Sequence, residues 1–166
     1  DPADVRFAVN VSPDGAGSDF SDEDWGINKY PPNADTQYIN DFKVMRISEI
    51  YLIRAEAYAK QSQFALAHAD VMAIRNIRNS PLTGANEVPV YTTLAEAIAD
   101  IKLERRVELA FEGHRYLDIK RFRSILNVGI ERDPVDCAGS TPCSLPVNSE
   151  KWIFPVPTVE IIGNPL

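Results

Sequence analysis

The stretch from Glu104 to Arg121, ERRVELAFEGHRYLDIKR, constrains the fold more than any other part of the sequence. At about 100° per residue, Leu94, Ile98, Ile101 and Leu109 fall on one stripe of a helix. Arg105, Glu108 and Glu112 share that stripe. A second apolar stripe, Leu103, Val107 and Phe111, runs down roughly the opposite side. A helix apolar on two sides is normally packed on both, which places charges in the interior. A buried charge is too costly to keep unless it is paired. Opposite signs at Arg105 and Glu108, and at Glu112 and Arg115, allow pairs one turn apart. A solvated charge face and an acid/base or metal set of Glu108, Glu112 and His114 are the competing readings. The second has no HExxH or comparable ligand spacing. The stripe geometry favours a structural ion network of Arg105, Glu108, Glu112 and Arg115, holding this helix to its neighbours through Arg46 or Glu56.

The 166 residues suit one domain with a fair-sized core. The net charge of −7 and pI near 4.8 exclude nucleic acid as a partner, because no basic surface is available to neutralise phosphates. No stretch approaches the roughly 20 apolar residues that span a bilayer. The opening DPADVRFAVN has neither the basic n-region nor the apolar run of a signal peptide. It does not look like a natural start, and EIIGNPL has no terminating logic, so the chain reads as a piece of something longer. Cys137 and Cys143 flank a five-residue spacer containing Gly and Pro, which can curl back and let the sulfurs meet. A disulfide in an oxidising compartment is expected, against free or metal-binding thiols; no second Cys/His pair completes a zinc site.

Residues 1–44 read as ordered loop rich in Asp, Asn, Gly, Ser and Pro, with a short strand over Val5 to Val11 and aromatics that argue against disorder. A helix is expected from Lys43–Ser48 through Lys60, with Ile47, Ile50, Tyr51, Ala55 and Tyr58 at helical spacing. After a break at Gln61-Ser62-Gln63 a second helix runs from Phe64 to Asn79 and stops at Ser80-Pro81. Ala67, Val71, Ile74 and Arg78 mark its inward face. The third helix runs from Leu94 to about Glu112, capped by Thr92 or Thr93 and ended or kinked by Gly113. His114 to Arg123 makes a fourth. Residues 124–166 form a Pro-rich loop and closing segment in which Trp152-Ile153-Phe154 packs back as an extended clamp.

Tyr51, Ala55, Tyr58, Ala67, Val71 and Ile74 occupy the spacings of a tetratricopeptide repeat, with Arg54 where Leu is usual and the closing Pro late at Pro81. One repeat leaves an outer face unburied, and about three are normally needed. The expected fold is therefore mainly α: a tetratricopeptide-like hairpin plus further packed helices, with long irregular loops, of the alpha-alpha superhelix type.

Three stretches together resemble the C-terminal part of the SusD/RagB family. Arg46-Ile-Ser-Glu-Ile-Tyr-Leu-Ile-Arg-Ala-Glu-Ala-Tyr58 is followed at the expected distance by Ile74-Arg-Asn-Ile-Arg78. Next come Glu104-Arg105, Glu108-Leu109, Glu112-Gly113, Arg115 and Asp118. Pro155-Val-Pro157, Glu160-Ile161 and Asn164-Pro165 resemble the closing segment. The resemblance covers residues 40 to 166 and implies a single C-terminal SusD-like domain fragment, 1–166, with its helical core at 45–123. It also implies a non-catalytic, lipid-anchored protein on the bacterial outer membrane. Such a protein binds glycans or peptides and sits as a lid on a TonB-dependent transporter barrel (SusC-like). The lipid anchor would lie on an N-terminal part outside this sequence.

The function expected is nutrient binding, with oligosaccharide as the ligand and no cofactor or metal. Sugar sites set flat aromatic faces against pyranose C–H groups, with Asn, Asp or Arg bonding the hydroxyls. Trp25, Tyr30 and Asn28 are the candidates, beside Asp24 and Asn33; loop packing is the plainer role for the aromatics. A tetratricopeptide-type scaffold without small ligand is the alternative, favoured by an exposed apolar groove along Tyr51 and Tyr58. An enzyme is disfavoured: the sequence has two histidines, His68 and His114, no GxSxG and no P-loop.

Overall fold

Asp4 starts the first helix. Its carboxylate accepts the Arg6 backbone N–H at 2.9 Å and caps α1 (Val5–Asn10). The strand expected over Val5 to Val11 is thus corrected. The alternation of Val5, Phe7, Val9 and Val11 is overridden by the N-cap and by capture of the Arg6 guanidinium on the same carboxylate, at 2.7 Å. Only Val11–Ser12 is extended, as β1, pairing antiparallel with β2 (Gly26–Ile27).

The computed structural model describes residues 4–12, 26–27, 29–30, 44–78, 90–132, 135–137 and 142–163. It is mainly α-helical, with packed helices and long loops in a tetratricopeptide-like arrangement. The chain divides into two compact units, 1–115 and 116–166.

In the first unit α2 (Ile47–Lys60) packs on α3 (Phe64–Arg78), and both pack on α4 (Leu94–Glu108). The inner face of α2 is Ser48, Leu52, Ala55, Glu56 and Ala59, not the face through Ile47 and Ile50, which are exposed. Small residues at Ala55, Ala59 and Ala67 allow the close approach of α2 and α3; Val71 and Ile74 complete the contact face of α3. Arg54 donates to Asp70 at 2.7 and 2.8 Å, and its guanidinium lies 4.9 Å from the Tyr51 ring centre. The Arg54–Asp70 ion pair therefore lies across the Tyr51 and Tyr58 rings, where an apolar groove would otherwise run.

The start of α4 follows from its sequence. Thr93 and Glu96 form a reciprocal capping box. Its end does not follow so simply. The helix stops at Glu108, before Glu112; Leu109 (φ −102°, ψ 24°) caps it, and the turn beyond passes through left-handed Phe111 at φ 63° and Gly113 at φ 81°. The second stripe of α4 is only partly covered: Val107 is half-buried and Leu103 exposed, and Phe111, past the helix end, is 51% exposed.

The second unit contains α5 (Arg115–Leu126), a ladder of β3 (Ile130–Glu131) with β4 (Ser144–Leu145), and α6 (Thr158–Gly163). α5 outruns the expected end at Arg123, and Asn127 at φ 50° supplies its left-handed stop. Trp152 is fully buried. Its indole donates to the Pro146 carbonyl at 2.7 Å, and Tyr116 donates to the Trp152 carbonyl at 2.9 Å. Of the expected clamp, Trp152 and Phe154 both set their rings against Tyr116 of α5, at 6.3 and 5.3 Å, while Ile153 is exposed and Phe154 keeps its other side in solvent.

Candidate functional site

The inner face of α4 carries Ile101, Glu104, Arg105 and Glu108, all buried. Glu104, at 0% exposure, accepts Arg75 Nε at 2.8 Å and Arg6 Nη1 at 2.6 Å. Glu108 accepts from three arginines: Arg46 at 2.9 Å, Arg78 at 2.8 Å and Arg6 at 3.1 Å. Arg75 also grips Asp100 at 2.8 and 3.0 Å, and the Tyr91 hydroxyl donates to Asp100 at 2.6 Å. Past the helix end, Glu112 accepts from Arg46 at 2.7 Å and Lys29 at 2.5 Å.

The end of α4 is held by the same cations. Arg46 Nη2 donates to the Glu108 carbonyl at 2.7 Å and Lys29 Nζ at 3.2 Å. The last carbonyls of a helix lack intrahelical partners and carry partial negative charge. Two cations at that point satisfy both needs.

These contacts set the protonation states. Burial alone would raise the Glu108 carboxyl, but hydrogen bonds from Arg78, Ser48 and Arg46 outweigh it and hold its pKa at about 2. Burial likewise opposes ionisation of Glu112, and Arg46 and Lys29 draw it below the usual carboxylate range. Burial raises the Tyr91 phenol, and its bond to Asp100 adds to the shift. Carboxylates held ionised and engaged by several cations serve as counter-charges for those cations. Their work is to join α1, α2, α3 and the Lys29 segment to α4. Among the described residues no group of three His, Cys, Asp or Glu could hold a metal ion.

Of the residues singled out in the sequence, Glu108 and Glu112 meet cations distant in sequence. Arg105 is buried on α4, and Arg115 is exposed at the start of α5. Glu56 pairs with Lys60 on its own helix at 2.8 Å. His114 Nδ1 lies 3.8 Å from Glu49. Cys137 and Cys143 are disulfide-bonded, Cα atoms 5.6 Å apart, in the second unit. Tyr30 is half-buried in the first unit; Trp25, Asn28, Asp24 and Asn33 lie outside the described residues. Arg6, Lys29, Arg75 and Glu104 were not among the expected network. Glu104 could have been found, because it continues the Ile101–Glu108 stripe at helical spacing. Next to Lys29 a cleft of about 240 Å³ is lined by Val5, Val9, Asn10, Arg46 and Arg78 over Glu108.

The sequence pattern that defines the SusD family runs through residues 9–165. The chain belongs to the SusD/RagB family. A curated relative, a SusD-like protein of Formosa agariphila, is 28% identical over 130 residues, covering 75% of this chain and 25% of the relative. The chain thus spans about a quarter of the length of that relative. No solved structure matches it. Proteins of the SusD/RagB family generally act as non-catalytic outer-membrane nutrient-binding proteins that partner TonB-dependent transporters.

Proposed function

We propose that this chain is the C-terminal SusD-like domain, 1–166, of a non-catalytic cell-surface protein that binds nutrients, foremost oligosaccharides. It works with a TonB-dependent outer-membrane transporter of the SusC-like kind and is held at the outer membrane by a lipid anchor. The observation that carries this reading is family membership over residues 9–165. The engagement of Glu104, Glu108 and Glu112 by cations supports it, since it leaves these carboxylates a structural role.

For the ligand contact we propose Trp25, Tyr30 and Asn28. An aromatic ring gives a sugar face a rigid apolar platform at low entropic cost, and an amide can both donate to and accept from hydroxyls. Titration with oligosaccharides is expected to quench tryptophan fluorescence. Trp25→Ala and Tyr30→Ala should each weaken binding by about 1–3 kcal/mol, the scale of burying a large apolar side chain. Unchanged affinity in both variants would leave the two aromatics as packing only.

A further inference from the structure

We infer that the Lys29–Glu112 ion pair is a positioning contact that fixes Tyr30 for ligand. The inference rests on the reading above that Tyr30 meets oligosaccharide. Lys29 immediately precedes Tyr30, and its ammonium is drawn out of water between the Glu112 carboxylate and the Glu108 carbonyl. The two side chains are 10% and 9% exposed, so this is not the solvated kind of pair that holds nothing in place.

A few residues earlier, β2 pairs with β1 through Val11 and Ile27. β1 follows directly on α1, which Arg6 ties to Glu104 and Glu108. The strand side and the lysine side of Tyr30 therefore both trace back to the same row of carboxylates on α4 and the turn after it. Glu112 is itself held from a second direction by Arg46. Glu112 lies in the turn that follows the end of α4, next to the left-handed Phe111 at φ 63°. A binding aromatic fixed before ligand arrives avoids the ordering cost that a loose one would incur on binding. In this way the ion network at the end of α4 sets how well the platform is prepared.

Two variants and two readouts test this. Lys29→Met keeps the apolar stem and removes the ammonium; Lys29→Arg keeps the charge. Backbone hydrogen exchange is followed without ligand in peptides covering residues 26–30 and in peptides from α2, α3 and α4. Affinity is measured for maltoheptaose, laminarihexaose and xylohexaose. In Lys29→Met, exchange at 26–30 should speed up while that of α2, α3 and α4 before its last turn is unchanged. If the prepared arrangement falls to about a tenth of the population, the dissociation constant rises about tenfold. Lys29→Arg should recover both. Unchanged exchange at 26–30, equal loosening of α4 before its last turn, or no recovery in Lys29→Arg would overturn the positioning role. So would faster exchange at 26–30 with affinity unchanged. If the parent chain binds none of the sugars, the ligand reading falls, and the exchange result still decides whether Lys29 positions the segment.

Discussion

Arg75 on α3 and Glu104 on α4 meet at 2.8 Å with side chains 1% and 0% exposed. Neither charge depends on the other alone: Arg75 also grips Asp100, and Glu104 also accepts from Arg6. Removing the Glu104 charge leaves Arg6 and Arg75 short of one shared buried counter-charge in a medium that solvates them poorly. Glu104→Gln is therefore expected to lower stability by about 3–5 kcal/mol, read as a fall in the denaturant midpoint at constant slope. A loss under about 1 kcal/mol, the range of solvated pairs, would mean that this face of α4 is wet.

Acid should undo the same joint from the carboxylate side. The Glu108 carboxyl is depressed to about 2 in the folded chain, from an ordinary value of 4.5. A depressed carboxylate contributes stability that is fully present above the ordinary value and lost as pH falls through the depressed one, worth about 3 kcal/mol at one to two kcal/mol per pH unit. Thermal midpoints measured from pH 7 down should hold to about pH 5 and then fall steadily toward pH 2. A flat profile through that window would remove Glu108 from the stability of the fold.

The loop from Cys137 to Cys143 closes six positions along the chain. A loop that short contributes about 2 kcal/mol by restricting the unfolded chain. Thiol titration of the unreduced, denatured protein should find no free sulfhydryl, and mild reductant should lower the unfolding midpoint of the second unit. Two titratable sulfhydryls before reduction would refute the bridge.

Gly129 sits where any side chain would run into the Leu145 carbonyl of the facing strand. Gly129→Ala must push β3 from β4, an overpacking cost of about 1–3 kcal/mol. Denaturant unfolding of the variant checks this, and a stability equal to the parent would mean that the ladder yields without cost.

Much of the fold was legible because its signals are local. Thr93 with Glu96, the Gln61-Ser62-Gln63 break and the Ala67-Val71-Ile74 spacing each act within a turn or two of chain, where backbone hydrogen bonding and side-chain spacing decide the outcome. The ordered motifs from Arg46 through Pro165 placed the chain beside its family for the same reason: they are read along one dimension. The stripe of Ile98, Ile101, Arg105 and Glu108 likewise marked α4 as a helix with charges turned inward.

Which cation meets which carboxylate was a matter for tertiary structure alone. Arg6, Lys29, Arg46, Arg75 and Arg78 are chemically near-equivalent in a sequence, and only the packing of α1, α2 and α3 on α4 brings them within 2.5–3.2 Å of Glu104, Glu108, Glu112 and Asp100. The same long-range demand overrode local preference twice. Val5 to Asn10 became a helix because Asp4 and Arg6 close on each other beneath α4. Glu112 left the helical stripe because α4 ends at Glu108, and the turn that follows sets its carboxylate beside Lys29 and Arg46. Helical periodicity acts over a few residues, whereas the cost of burying an unpaired charge is felt across the whole unit, and only the folded chain can satisfy it.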